Sequence, residues 1–399
     1  MKKILAAFVY FLFLCFATSC QHKDPVVEDV LPSDLHTLLI YMVGDNNGMS
    51  RYCEPNIRSC IEGLKQTDPT LNIVIYKDVE NHFPELFLLR QDKKNAQKID
   101  TIYIKKYTEY VNSVDPDFMA SVVNLVFSEC PGKIKGLELW SHGGSWIPDG
   151  WSPENTQPTR ASQYIGIDNH RYMQLWELRE ALEKCPHLDY ITFDACNMAT
   201  AEVAYELKDR CDYVLASAQE IMGDGFPYKT MMGALSQAYQ TGVEPALRIC
   251  VDLMQKLYPT NGSLSLIKCA EMDALANAYS QLLHDNATLL EALEENADAI
   301  QQGWQHYGGG YATNTIYYYY DLEEVAEYLQ GDLVSQIHAA VPYSYHADSY
   351  YSTYDGRHAI TRFCGIAVSV PEVFLALAKG NSYLSEGYHM TRWGQKMGY

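Results

Sequence analysis

Hydrophobic positions fall into two rhythms along the chain. His36–Val43 (HTLLIYMV) and Leu71–Val79 (LNIVIYKDV) are nearly continuous apolar, β-branched runs, the pattern of strands buried on both faces of a parallel sheet. Leu86–Leu89 and Thr101–Lys106 flank the polar turn QDKKNAQKID and predict a hairpin. Asp115 followed by Pro116 supplies an N-cap and a proline at the first helical position, so an amphipathic helix is expected through Phe127. Then come a strand at Ile134–Ser141 (IKGLELWS), a helix at Met173–Lys184, a strand at Tyr190–Asp194, a helix at Thr200–Leu207 and a strand at Tyr213–Ser217. That alternation predicts an α/β protein whose mostly parallel sheet is covered by helices on both faces, with ligands bound at the carboxyl ends of the strands.

From about Tyr228 the pattern is mainly helical, with further strands at Ser263–Lys268 and Cys364–Val370. The reading therefore divides the chain into a core, residues 36–260, and a partly helical C-terminal region, residues 261–399. About half of the 31 tyrosines lie beyond residue 300. Tyrosine density suits a carbohydrate or peptide groove, but the plainer reading, a packing edge between helices, is preferred.

The start of the chain bears on the compartment. Residues 1–19 (MKKILAAFVYFLFLCFATS) read as a secretory signal, and the apolar run Ile4–Ala17 is shorter than the ~20 residues of a spanning helix. Ala17-Thr18-Ser19-Cys20 resembles a bacterial lipobox, in which Cys20 becomes the lipidated first residue; the alternative is plain cleavage and a secreted product. Residues 20–35, acidic and proline-containing, then form a tether. The expected location is the cell envelope, lipid-anchored at the outer membrane or cell surface, or outside the cell.

Composition narrows the partners. At 47% hydrophobic and 20% charged the 399 residues support a sizeable core and exclude disorder. Thirty Lys and Arg against 50 Asp and Glu give a net charge of −20, which repels nucleic acid and accommodates cationic or neutral substrates. Beyond Cys15 and Cys20 the cysteines are Cys53, Cys60, Cys130, Cys185, Cys196, Cys211, Cys250, Cys269 and Cys364, with no CxxC and no Cys/His cluster at zinc spacing. An odd number raises the question of which thiol is kept free.

Two strand ends carry chemistry. LELWSHGGSW runs an apolar strand into His142-Gly143-Gly144, and YITFDACNM runs another into Asp194-Ala195-Cys196. With one crossover helix between them, the topology brings His142 and Cys196 to the same sheet edge. A thiol is nucleophilic as thiolate, a form that a neighbouring imidazole favours. The backbone N–H groups of Gly143 and Cys196 form a candidate two-donor oxyanion hole. Taken singly, His142 reads first as a satisfied strand-end histidine and Cys196 as a buried thiol; their pairing points to catalysis.

This pair, with SAQEIMGDGFPY about two dozen residues after the cysteine, resembles the clostripain-like cysteine peptidases of bacteria, which share the caspase-type fold with caspases, legumain and gingipains. The likeness extends to LIYMVGDNN, YYYYDLEEVAEYL and GIAVSVP, roughly residues 36–371. The resemblance implies a caspase-like three-layer α/β/α sandwich with a mainly helical C-terminal extension. It makes Cys196 the nucleophile and His142 the group that protonates the leaving amine, with no third triad member. It assigns Asp194 and Asp224 to an S1 pocket selecting Arg or Lys, a match of carboxylate to cation that chemistry supports. The alternatives are a capping role for Asp194 and a turn role for Asp224 within Gly223-Asp224-Gly225.

The resemblance further implies a zymogen that cuts itself after a basic residue between the two catalytic strands. Arg160-Ala161 is the expected bond and Arg171 the fallback, against a plain surface arginine in a mobile loop. No cofactor is required, and calcium is left open, although Asp45-Asn46-Asn47-Gly48 does not match EF-hand spacing. The expected partners are protein or peptide substrates with a basic P1 residue and, through the lipid, a membrane. The competing reading is a catalytically inactive lipoprotein that binds peptide or glycan.

Overall fold

The computed structural model describes residues 35–46, 48–92, 94–148, 165–308, 316–353, 356–379 and 382–399. The two apolar runs fold as β1 (His36–Gly44) and β2 (Leu71–Val79), followed by the hairpin of β3 (Glu85–Gln91) and β4 (Ile99–Lys106). Next come β5 (Ile134–Trp140), a short hairpin of β6 (Ile167–Asp168) and β7 (Arg171–Tyr172), β8 (Leu188–Asp194), β9 (Cys211–Ala216) and β10 (Ser263–Lys268). The C-terminal part adds β11 (Tyr320–Asp321), β12 (Tyr343–His346), the hairpin β13 (Ser349–Ser352) and β14 (Gly356–Ala359), and β15 (Ala367–Val368).

Nine of these form one sheet, in the order β12-β10-β9-β8-β5-β1-β2-β3-β4. Its centre, from β9 through β8, β5 and β1 to β2, is parallel, and both margins are antiparallel. Alternate side chains of β1 point to opposite faces. Leu38, Ile40 and Met42 pack in the core beneath the helices Ser50–Leu64, Tyr228–Ser236 and Val243–Leu257. Tyr41 and Val43 face the other side, where the helix Pro116–Glu129 lies with Met119 buried against them. Asp115 caps that helix as expected, its side chain accepting from the Phe118 amide at 2.9 Å. The result is the three-layer α/β/α sandwich.

Residues 36–260 and 261–399 share this sheet, because β10 and β12 extend it beyond β9, and Pro32–Tyr399 is one folded unit. The late strand expected at Cys364–Val370 is shorter, only Ala367–Val368, and pairs with β11 outside the main sheet. Gly365 precedes it at φ +90°, which interrupts extended pairing. The nine cysteines from Cys53 to Cys364 are free thiols, and six of them are buried core residues. Cys211 and Cys269 bring their sulfurs to 3.6 Å.

Candidate active site

Pairing of β5 with β8 is parallel and in register, Trp140 opposite Asp194. His142 and Cys196 each lie two residues past those partners, so both emerge at the carboxyl edge, side by side. They line one cleft of about 250 Å³ together with Gly143 and Asp194. Gly143 is required by close approach: a Cβ there would stand 2.5 Å from the Cys196 carbonyl oxygen and 3.0 Å from the Cys196 nitrogen. The two candidate oxyanion donors thus belong to backbones in contact.

The His142 turn is held from the C-terminal part of the chain. Tyr319 donates to the Gly144 carbonyl at 2.6 Å, and Trp146 donates through its indole to Ser369 at 2.7 Å. Ser145 meets Thr200, the N-cap of the helix Ala201–Leu207, at 2.7 Å. His142 Nε2 is buried and carries no hydrogen bond among the described residues. Desolvation holds the imidazole below its ordinary pKa, so it is neutral at neutral pH.

The Cys196 turn is held by the segment that follows β9. Ala199 donates to the Ser217 carbonyl at 2.9 Å and Asn197 to the Gln219 carbonyl at 3.0 Å. Asn197 adopts φ 57°, a conformation asparagine tolerates better than most residues, and so turns the chain sharply after the cysteine. The thiol itself faces Ile221, whose amide lies 3.4 Å from Sγ. Burial, reinforced by Glu220, pushes the Cys196 thiol up to about 12, with the Ile221 amide pulling the other way. In this state the sulfur is a thiol and not a thiolate.

Asp194 sits at the base of the cleft, 5% exposed. Its Oδ2 accepts from the Phe226 amide at 3.1 Å and the Tyr228 hydroxyl at 2.6 Å. Asp224 is placed differently. It is exposed, outside the residues lining the cleft, while the preceding Gly223 forms part of the wall. Both carboxylates nevertheless act on the hydroxyl of Tyr258, which donates to the Gly225 carbonyl at 2.9 Å. Sequence reasoning missed Glu220 and Arg51, which also line the cleft. Glu220 stands in the same SAQEIMGDGFPY stretch but is held by Ser352 and Thr353, a contact across 132 positions that no local pattern announces.

Within the tyrosine-rich stretch, Tyr307, Tyr318, Tyr319 and Tyr320 are fully buried and Tyr317 is half-buried. Cys20, Arg160 and Ala161 lie outside the described residues, and Arg171 lies in β7. No described helix is long and apolar enough to cross a membrane. Among the described residues no group of three or more His, Cys, Asp or Glu is placed to hold a metal ion.

A sheet with histidine and cysteine on adjacent parallel strand ends defines a caspase-like fold of the cysteine-peptidase type. The Clostripain family profile matches residues 40–386, and the chain belongs to that family. Clostripain of Hathewaya histolytica is 23% identical over 245 residues, 53% of this chain and 44% of clostripain, so the match spans less than half of that relative. Among solved structures, an inactive zymogen C11 protease from Parabacteroides distasonis is 28% identical with a TM-score of 0.75, covering 92% of this chain and 99% of that one. A secreted C11 cysteine protease from Bacteroides thetaiotaomicron, in complex with an irreversible peptide inhibitor, is 26% identical with a TM-score of 0.74, covering 91% and 99%.

Proposed function

We propose that the protein is a secreted cysteine endopeptidase that cleaves after Arg or Lys. The observation that carries this reading is the shared cleft: a thiol, an imidazole and a buried carboxylate open onto one space at the edge of a parallel sheet. Cys196 attacks the scissile carbonyl once its proton has moved to His142, and the imidazolium then protonates the leaving amine. Gly143 and Cys196 supply backbone N–H groups to the oxyanion. The guanidinium or ammonium of P1 loses its hydration on entry and regains a partner in Asp194, with Asp224 adding its charge from the exposed turn beside the wall.

A thiol held protonated at neutral pH fits a latent form, and one solved relative is described as an inactive zymogen. In the proposed activation Arg160-Ala161 is cut by the protein's own site, whose P1 preference that bond satisfies, with Arg171 as the second choice. The lipid on Cys20 anchors the product to the envelope.

One pair of proteins tests the reading. Wild type turns over a small Arg or Lys amide and yields two fragments on a denaturing gel, whereas Cys196→Ala does neither. Turnover indifferent to that substitution would sink the mechanism, and identical gel bands would remove self-processing.

A further inference from the structure

The floor beneath Asp194 holds a second acid that the reaction does not use. Glu138 lies on β5 and is fully buried, opposite Thr192 on β8. Its Oε2 accepts from the Thr192 hydroxyl at 3.2 Å, and its Oε1 is in very short contact with the Tyr228 hydroxyl. That same hydroxyl lies 2.6 Å from Asp194 Oδ2. Tyr228 has one hydroxyl hydrogen and faces two carboxyl oxygens. If both acids were ionised, one of those contacts would set oxygen against oxygen with no hydrogen between them. A second proton must therefore reside in the triad.

Its position is decided by surroundings. Asp194 has the Phe226 amide as an additional donor and opens onto the cleft, while Glu138 has only hydroxyl partners and no solvent. The titratable groups around Glu138 are Asp194 and Tyr228 on the cleft side, Tyr190 on β8, Cys60 in the helix Ser50–Leu64 and Cys250 in the helix Val243–Leu257, none of them cationic. Gly225, at φ +71°, leaves room for the Asp194 carboxylate, since a Cβ there would stand 2.4 Å from Oδ2.

We propose that Glu138 positions the specificity acid: as a neutral carboxylic acid it donates its proton to the Tyr228 oxygen, which commits the Tyr228 hydrogen to Asp194 Oδ2 and leaves Oδ1 as the anionic face of the pocket. Oδ1 makes no hydrogen bond among the described residues, in keeping with that role. Burial pushes Glu138 up to about 8 and Asp194 up to about 6, so there is a window in which the first is protonated and the second is not. Below it Asp194 loses its charge; above it Glu138 loses its proton and the bridge through Tyr228 breaks. Binding of a basic P1 side chain is therefore weakened at both ends.

The inference rests on Asp194 being the P1 acid, and the experiment separates the two ideas. Wild type, Glu138→Gln, Glu138→Ala and Asp194→Asn are compared for kcat and KM on an Arg amide across pH, with melting temperatures as a folding control. A glutamine can donate to Tyr228 as the neutral acid does. Glu138→Gln is therefore expected to hold KM near the wild-type value and abolish its alkaline rise, whereas Glu138→Ala raises KM about tenfold with kcat little changed. Infrared spectra at neutral pH should show a protonated-carboxyl band in wild type that Glu138→Gln removes. Absence of that band, or a KM in Glu138→Gln as poor as in Glu138→Ala, would overturn the proposal. A P1 preference untouched by Asp194→Asn would overturn the pocket assignment and leave the proton on Glu138 to be judged by the infrared band.

Discussion

The turns that carry His142 and Cys196 sit side by side on one sheet edge and share anchors in the C-terminal part of the chain, but the Cys196 turn is held in addition by the segment after β9. The His142 turn is pinned from the C-terminal part, through Tyr319, Trp146 and Ser369. The Cys196 turn is held by the Ala367 amide on the Ala199 carbonyl at 3.0 Å and, in addition, by the segment 217–221, some twenty residues downstream, whose Ile221 amide meets the sulfur. The contrast lies in how far each side chain is already set. The imidazole is a finished part of the scaffold, with Nε2 unengaged and the ring neutral. The thiol is unfinished, because its pKa is set by a covering loop and by Glu220 rather than by an ion pair with His142.

That contrast is broken most strongly through the thiol. With Cys196 up at about 12, alkylation by iodoacetamide in the uncleaved protein should be slow at neutral pH and rise roughly tenfold per pH unit up to about pH 10, tracking the thiolate fraction. A rate already flat at neutral pH would mean a depressed thiol pKa and a histidine turn that does act on it. The smaller effect concerns the other turn. Tyr319→Phe removes one buried hydrogen bond to Gly144, worth about 1 kcal/mol. It should lower kcat severalfold without altering Cys196 alkylation, measured on the same preparation. Equal loss in both readouts would show the two turns to be one unit.

Much of the sheet was legible because its signal is local. The runs HTLLIYMV and LNIVIYKDV are buried on both faces, and the two strand ends carrying HGG and DAC needed only the parallel crossover to place His142 beside Cys196. The helix Ser50–Leu64 was not read, since it accommodates Pro55 in its interior against the usual cost of a lost amide. The edge strand β12 escaped because YSYH has no apolar run and is paired only by virtue of β10. The tyrosine-rich stretch read first as a packing edge and second as a groove, and burial of Tyr318, Tyr319 and Tyr320 accords with packing. Glu138 was invisible for a different reason. In LELWSHGG it reads as a polar interruption in a strand, and its meaning lies in Tyr228, 90 positions away.

Cys196 is proposed as the nucleophile of a pocket that selects a basic side chain. Intact-mass and peptide-mapping spectrometry after incubation with a peptide acyloxymethyl ketone bearing Arg at P1 tests both parts of that role at once. One adduct is expected, on Cys196, formed faster than with the matching Leu peptide and lost in His142→Ala. An adduct on another cysteine, or equal rates with Arg and Leu, would contradict it.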